Sequence, residues 1–381
     1  MTDSQNDAPD IPESPLRSVH TDSFAALLQQ SGRSVAVTTY QAGYVVLLRH
    51  DGQALNTHFR AANRPMGLAV SDSHLAVGAA RELVQFENVA EVTDLLEGPR
   101  PHDACYLPRK IHVTGDIDIH EMAFGQSSSG VSRFSDLWFV NTRFSCLCSL
   151  DDEHSFVPRW RPPFISSLSP QDRCHLNGLA MIDGRPRYVT ALGSTDKPRG
   201  WRENKPSGGV LIDIDSGETI VRGLSMPHSP RWYDGKLWLL ESGDGSIGTV
   251  DLNTGRYEAV AKVAGFTRGL DFIGPYALIG ISQVRESAMF SGIPITERLQ
   301  QDERVCGVAL VDLRSGQEIG FVRFSGAVQE IFAVQLLPHC FPEVLEVKSK
   351  LLGSTYALPP AALADVKWLP EPPREADAES P

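Results

Sequence analysis

HSPRWYDGKLWLL, residues 228–240, contains the pattern that decides the fold: a histidine, a short apolar run, a tight turn and a second apolar run. Two further segments begin in the same way, IHEMAF at 119–124 and HLNGLAMIDG at 175–184. Looser versions complete a set of six, and they start at Arg64, Phe266 and Val328. Short strands that recur at intervals of about 40–60 residues are typical of β-propeller arrays.

Turns between apolar runs show how the array closes. A turn follows each of the first five starts, whereas the sixth turn, His50-Asp-Gly52, precedes the first start. Extended runs flank it at 34–40, 44–49 and 54–59. Since a closed ring leaves no sheet edge exposed, these N-terminal strands are expected to complete the last blade, whose inner strand lies near 328–337. The sequence therefore predicts an all-β fold, a six-bladed β-propeller.

The predicted propeller forms a single domain at residues 23–345. Residues 1–22 are polar and rich in proline, so we expect a disordered tail there. Residues 346–381 are expected to form a C-terminal extension that ends in a second proline-rich tail. One stretch before the first strand, at 23–30, has the period of a helix.

Composition and charge narrow the class of protein. Hydrophobic residues make up 41% of the chain, enough for a substantial core, and the net charge is −12. An acidic chain is a poor partner for nucleic acid. The first residues lack an apolar signal segment, and no run of 18 apolar residues occurs, so we expect a cytoplasmic protein that does not span a membrane.

Several strings, among them HLNGLA, GWRENK and MPHSPRWYDGKLWLLESG, resemble an uncharacterised bacterial family of conserved hypothetical proteins, a domain of unknown function. The resemblance extends over about residues 30 to 340. It implies a propeller-like fold, and it implies no reaction. Hypotheses about function must therefore come from the residues themselves.

Inner-strand starts and the loops between second and third strands lie on one face of a propeller, where binding sites are usually built. Three imidazoles from consecutive blades are candidate ligands of Zn²⁺, Mn²⁺ or Fe²⁺, namely His120, His175 and His228. Candidate catalytic residues on the same rim are Glu121, Arg231, Arg268 and Glu330. Candidate substrate-binding residues are Asn141, Arg143, Asn177, Trp201, Arg202 and Arg285.

The rim is rich in arginine on an otherwise acidic protein, and arginine binds carboxylates, sulfates and phosphates through paired hydrogen bonds. We therefore expect an enzyme that acts on a small anionic molecule, with a divalent metal as a candidate cofactor. Lyase, hydrolase, isomerase and oxygenase chemistry all remain open. The histidines could instead contact substrate without a metal or tie neighbouring blades together.

A different class of function uses the same face. Propellers often serve as scaffolds, so a protein partner could lie across this rim without any catalysis. The sequence contains no nucleophile elbow, no phosphate-binding glycine loop, no HExxH and no dinucleotide fingerprint. We therefore expect no nucleotide cofactor.

Overall fold

The computed structural model describes residues 14–126, 136–283, 292–358 and 362. Six β-sheets are arranged in a ring, and each innermost strand contacts the innermost strands of its two neighbours. The fold is a six-bladed β-propeller and nearly all β, as the sequence predicted.

The strands are rich in β-branched and aromatic residues, which suit a pleated and buried surface. Those of the first part of the chain are β1 (Leu16–His20), β2 (Ser34–Thr39), β3 (Tyr44–His50), β4 (Leu55–Ala61), β5 (Leu68–Val70), β6 (His74–Gly78), β7 (Glu82–Asn88), β8 (Ala104–Val113), β9 (Ile119–Phe124), β10 (Leu137–Asn141), β11 (Cys146–Ser149), β12 (Val157–Trp160) and β13 (Leu176–Ile182). Those that follow are β14 (Arg185–Ala191), β15 (Gly209–Asp213), β16 (Thr219–Leu224), β17 (Pro227–Tyr233), β18 (Lys236–Glu241), β19 (Ser246–Asp251), β20 (Arg256–Lys262), β21 (Phe266–Ile273), β22 (Tyr276–Ser282), β23 (Cys306–Asp312), β24 (Gln317–Gly326), β25 (Ala333–Leu337) and β26 (Pro342–Val344).

Each of blades 1 to 5 uses four consecutive antiparallel strands, beginning with β5, β9, β13, β17 and β21 at the inside. Blade 6 is assembled from both ends of the chain, because its inner strand β25 pairs with β2, and β3 and β4 follow outward. The N-terminal strands thus close the ring on the last inner strand, as predicted. Closure of this kind leaves no open edge between the first and the last blade.

Blade 5 carries a fifth strand that the sequence analysis did not foresee. β1 pairs with the outer strand β24 from Leu16 opposite Gly326 to His20 opposite Val322. The disordered tail predicted to reach residue 22 is therefore wrong at residues 16–20. The polar composition that suggested disorder is compatible with an edge strand, since such a strand is held by backbone hydrogen bonds and buries only part of its side chains.

Blade 1 is extended by the short strand β26, which runs parallel to β8. Its buried carboxylate, Glu343, accepts hydrogen bonds from Nε and Nη2 of Arg60 at 2.7 and 2.6 Å and contacts His58 Nε2 at 3.0 Å. Burial alone would raise the pKa of Glu343, but His58 and Arg60 hold it well below its usual range. This ion cluster fastens the C-terminal strand to blade 6, where both basic residues lie.

Helices are few and short. The two α-helices are α1 (Asp22–Ser31) and α2 (Pro294–Arg298), and the 3₁₀ turns span Ala90–Leu95, Gly200–Asn204, Gln301–Glu303 and Lys350–Ser354. The predicted helical stretch at 23–30 corresponds to α1, whose fully buried Phe24 and Leu28 join the core between blades 5 and 6. Among the described residues, no helix is long and apolar enough to span a membrane. The chain divides into two compact units, residues 1–346 and 347–381.

Candidate functional site

Four blades are joined to the next one by the same hydrogen bond, made by a hydroxyl side chain at or near the end of the second strand. The hydroxyl donates to a backbone carbonyl at the start of the neighbouring inner strand. These bonds run from Thr38 to Met66, from Thr142 to Leu176, from Ser242 to Thr267 and from Ser282 to Ile331, at 2.5–3.0 Å. The accepting carbonyl therefore marks one structurally equivalent point in each of four inner strands.

In five of the six blades the residue at the position after this point lines one shared cavity. Strand pairing identifies the equivalent residue in the other two blades. The residue before His120 and the residue before His228 each pair with the same position of the second strand as the residue before Arg268 does. The six equivalent residues, one from each blade, are named the mouth ring. They are Gly67, His120, Asn177, His228, Arg268 and Phe332.

The mouth ring corrects the alignment of the three histidines. The sequence predicted the same repeat position for all three histidines, but His175 lies two residues before Asn177, the mouth-ring residue of its own blade. It corresponds to Asp118 and Met226, and the three residues share a left-handed φ of 50°, 58° and 47°. Residue alternation could not fix this register, because β-bulges interrupt the inner strands just beyond it.

A narrow cavity lies inside the mouth ring. It is lined by His120, Glu121, Asn177, His228, Ser229, Arg268, Phe332 and Ala333. The volume open to the centre of a water-sized molecule is about 10 Å³, which is the space of about one water. Five of the six mouth-ring residues thus meet around a space for one small polar group.

The proton of the His120 imidazole is on Nδ1. This nitrogen lies 3.0 Å from the carbonyl oxygen of Asp118 and 2.7 Å from Thr142 Oγ1. Thr142 gives its own proton to the carbonyl of Leu176, so its oxygen can only accept from the imidazole. Nε2 of His120 is therefore left with a lone pair, and no described residue donates to it.

His228 is held in the same way. Its Nδ1 lies 3.0 Å from the carbonyl oxygen of Met226 and 2.9 Å from Ser242 Oγ, and Ser242 donates its proton to the next blade. Its Nε2 faces Nη2 of Arg268 at 3.4 Å. Since a guanidinium can only donate, the lone pair of Nε2 points toward Arg268.

Both imidazoles are neutral at pH 7. Burial first, and then the charges of His175 and Arg268, hold the pKa of His120 well below its ordinary value. Burial and then Arg268 have the same effect on the pKa of His228. Neither ring can therefore present an N–H from Nε2 at neutral pH, and both present an acceptor.

His175 lies beside the mouth ring, in contact with His120 at 4.9 Å between ring centroids. Its Nδ1 donates to Oδ1 of Asp172 at 2.9 Å, and Oδ2 of the same carboxylate accepts from Trp201 Nε1 at 3.0 Å. Trp201 packs on the imidazole at 4.5 Å and is only 2% exposed. The GWRENK loop of blade 3 therefore covers His175.

Arg231 is held by four hydrogen-bond partners inside the channel. It forms an ion pair with Glu121, which comes from a blade two places away. Its other N–H groups donate to the carbonyls of Leu179, Pro230 and Leu270 at 3.0–3.2 Å. Burial alone would lower the pKa of Arg231, but the charge of Glu121 raises it. Its three nitrogens thus donate to four acceptors of the protein itself, which hold the guanidinium in place.

Arg268 has a contrasting environment. Its guanidinium lies over the rings of Phe332 and Phe266, with the central carbon 4.7 and 5.6 Å from their centroids. Its Nε is buried without a hydrogen-bond partner among the described residues. Burial lowers the pKa of Arg268, and the charges of Glu330 and Asp118 oppose this. Neither carboxylate forms an ion pair with it, so a half-buried cation stands at the cavity without a direct counter-charge among the described residues.

Two predicted substrate-binding residues lie outside the cavity lining. Asn141 is fully buried, and its side-chain oxygen accepts from the backbone N–H of Phe144 at 3.0 Å in the turn after β10. Arg143 pairs with Asp116 at 3.0 Å on the rim. Both residues help to shape the loop that follows the second strand of blade 2.

The remaining candidates lie farther out. Arg202 is exposed, with its guanidinium 5.2 Å from the centroid of the Trp201 ring. Glu330 is half-buried and acts on Arg268 through its charge. Arg285 falls outside the described residues. Asn177 lines the cavity, but its amide is occupied, donating to the carbonyl of Pro227 and accepting from Thr190.

Sequence reasoning missed the groups that orient the imidazoles. Thr142 and Ser242 fix two rings, Asp172 fixes the third, and Phe332 and Ser229 line the cavity. A signal for the hydroxyls exists, because a serine or threonine stands at the end of the second apolar run in VNT, LLES and IGIS. Aligning the second strands of the repeats would have found it.

A positive charge stands close to the predicted metal ligands. Among the described ranges, no group of three or more His, Cys, Asp or Glu side chains is arranged to hold a metal ion. The Arg268 guanidinium stands 3.4 Å from Nε2 of His228, the atom that would bind a metal. A cation at this place would be repelled, so the geometry favours an anion. The role of the histidines as metal ligands stays a prediction.

Comparison with solved structures gives the fold alone. A chain from the crystal structure of a nidogen/laminin complex is 10% identical with a TM-score of 0.50, over 81% of this chain and 100% of that one. A protein of unknown function from Bacteroides caccae is 8% identical with a TM-score of 0.50, over 80% and 99%. No curated protein matches the sequence. The family model described as Domain of unknown function (DUF4915) matches residues 22–345, and the chain belongs to this family.

Proposed function

We propose that the mouth ring binds a small anionic molecule and that the protein acts on it as an enzyme. The observation that carries the proposal is Arg268, a guanidinium at the cavity without an ion-pair partner among the described residues. A buried charge without a counter-charge is unfavourable. An anion that enters the cavity would offset this cost, and the same contact would give it affinity.

The neighbouring imidazoles supply groups that could move a proton. His120 and His228 are fixed by hydrogen bonds on Nδ1, so their Nε2 atoms are oriented before a substrate arrives. Both rings are neutral at pH 7 and can accept a proton from a substrate at Nε2. Glu121 is a further acceptor in the cavity wall, and its pairing with Arg231 keeps it in place.

The proposal is tested by measuring anion affinity in wild type and in Arg268→Gln. Isothermal titration with formate, acetate, glycolate and phosphate at low ionic strength should give saturable binding of at least one of them. We expect Arg268→Gln to weaken that binding at least tenfold, because a charged hydrogen bond contributes about 1.5–3 kcal/mol. The matched control is Arg202→Gln, which removes an exposed arginine of the same face and should change affinity less than twofold.

Two results would contradict the proposal. One is the absence of saturable binding by every anion of the panel, which would favour the alternative of a non-catalytic interaction scaffold. The other is an equal loss of affinity in Arg268→Gln and Arg202→Gln. That result would reveal a diffuse attraction to the arginine-rich rim in place of a defined site.

A further inference from the structure

We infer that the ligand of the mouth ring is a 2-hydroxycarboxylate, in which a hydroxyl group stands directly beside the carboxylate. This inference rests on the proposed anion site and adds the chemical class of its occupant. It follows from the pattern of donors and acceptors around the cavity, which an anion without a hydrogen-bond donor would fit poorly.

The wall of the cavity contains hydrogen-bond acceptors and, beside them, a cation. The acceptors are Nε2 of His120 and Nε2 of His228, because the proton of each ring is on Nδ1. Nε2 of His228 already accepts a long hydrogen bond of 3.4 Å from Nη2 of Arg268, which a ligand hydroxyl would replace. The carboxylate of Glu121 adds a third acceptor in the wall. The donor is Arg268. A simple anion carries lone pairs only, so it would satisfy Arg268 and oppose every acceptor.

The distance between donor and acceptor sets the spacing of the ligand groups. Nη2 of Arg268 and Nε2 of His228 are 3.4 Å apart. A ligand that bridges them needs an anionic oxygen and an O–H on neighbouring atoms. A carboxylate with a hydroxyl on the adjacent carbon has this arrangement, and so does the P–OH of hydrogen phosphate.

The remaining wall distinguishes these two candidates. Phe332 and Ala333 contribute apolar wall to the cavity, and Phe332 contacts both the Arg268 guanidinium and the His120 ring. An apolar wall suits the carbon skeleton of an organic acid better than a fully oxygenated phosphate. The space of about one water in the cavity takes only the hydroxyl oxygen, so the carboxylate and the carbon skeleton of the ligand would lie at the open side of the cavity.

The test compares acids that differ only by the hydroxyl group. Glycolate is compared with acetate, and L- and D-lactate with propionate, by isothermal titration of the full-length protein at pH 7.5. Phosphate and sulfate form a third pair. We expect the hydroxy acid to bind at least tenfold more tightly than its partner, because a buried acceptor left without a donor costs about 1–3 kcal/mol.

His228→Asn removes the acceptor while keeping the hydrogen bond on the Nδ1 side. The chain already carries an asparagine at this position in the preceding blade, where the Asn177 amide donates to the carbonyl of Pro227. We expect the variant to lose most of the preference for glycolate over acetate. Acetate affinity should stay within threefold of wild type, because Arg268 is retained.

Each outcome decides the inference. A preference for the hydroxy acid in wild type that is lost in His228→Asn supports the inference. If the variant fails to fold, the comparison of each hydroxy acid with its partner in wild type still tests the inference. Equal affinity for glycolate and acetate would overturn the 2-hydroxycarboxylate and leave the anion site of Arg268 standing. Tightest binding of phosphate would overturn the choice of a carboxylate. No binding of any of the seven anions would overturn both the inference and the proposed function.

Discussion

Arg231 and Arg268 both come from inner strands of the propeller, and their surroundings differ sharply. Arg231 pairs with Glu121 and donates to three backbone carbonyls. Arg268, on the next blade, lies between phenylalanine rings with a buried Nε that has no described partner. A rim of arginines in the sequence therefore contains two kinds of residue, one that holds blades together and one that faces a cavity.

The difference shows which of the two is available to a ligand. Four of the five N–H groups of Arg231 already donate to described residues, so an anion that takes two hydrogen bonds could bind only by breaking an existing one. Arg268 would gain hydrogen bonds from an anion without losing any ion pair. Composition alone cannot separate these cases, because the partners of Arg231 are backbone carbonyls of three strands and a glutamate 110 residues away.

The largest effect on stability is expected from breaking the ion pair between Arg231 and Glu121. Arg231→Met leaves Glu121 buried without a counter-charge, and loss of one partner of a buried pair typically costs about 3–5 kcal/mol. We expect the free energy of unfolding, measured in urea, to fall by about this amount. The double variant Arg231→Met with Glu121→Met should recover most of the loss, since it leaves no unpaired charge. No recovery would mean that the arginine acts mainly through its carbonyl contacts.

An intermediate effect is expected from pH. The pKa values of His120 and His228 lie below the ordinary 6.5 in the folded protein, so the unfolded chain binds more protons than the folded chain below about pH 6.5. Stability is therefore fully present above this pH and decreases as pH falls. Each imidazole contributes a slope of at most about 1.4 kcal/mol per pH unit.

The pH effect is measured by urea unfolding between pH 7.5 and 5.5. His228→Asn removes one of the two titrating rings, so the loss of stability over this range should be smaller than in wild type. His154→Asn is the contrasting control, because Asp151 raises the pKa of the exposed His154, and its removal should not reduce the loss of stability at low pH. A slope that His228→Asn leaves unchanged would contradict the neutral imidazoles of the mouth ring.

The smallest effect on stability is expected at the candidate ligand-binding arginine. Arg268→Met replaces a half-buried cation, which has no ion pair among the described residues, by an apolar side chain between two phenylalanines. The free energy of unfolding in anion-free buffer should therefore change by less than about 1 kcal/mol or increase. A loss as large as that of Arg231→Met would show that Arg268 is structural. The contrast between the two arginines would then disappear.

The sequence predicts the architecture well, because the strands, the turns and the closing role of 34–61 all leave local signals. β-branched runs bounded by turn residues reveal the blades, and a turn before the first inner strand reveals the closure. β1 left a weaker signal. Its alternation of half-buried and exposed side chains is set by an edge position that only the folded sheet defines.

The site is only partly predictable. The sequence brings His120, His175, His228 and Arg268 to one face, and the structure places them together. It cannot show that His175 is two residues out of register, since left-handed residues and bulges break the alternation there. It also cannot show the proton position on each imidazole, which depends on hydroxyls and carbonyls from neighbouring strands.

The most direct test of the central claim follows both arginines in one experiment. Arginine side-chain Nε–H signals of ¹⁵N-labelled protein are recorded by two-dimensional ¹H–¹⁵N NMR during titration with glycolate, and Arg268→Lys and Arg231→Lys assign the two signals. We predict that the Arg268 signal shifts saturably while the Arg231 signal stays in place. An Arg268 signal that stays fixed at a saturating concentration, or equal shifts of both signals, would contradict the account.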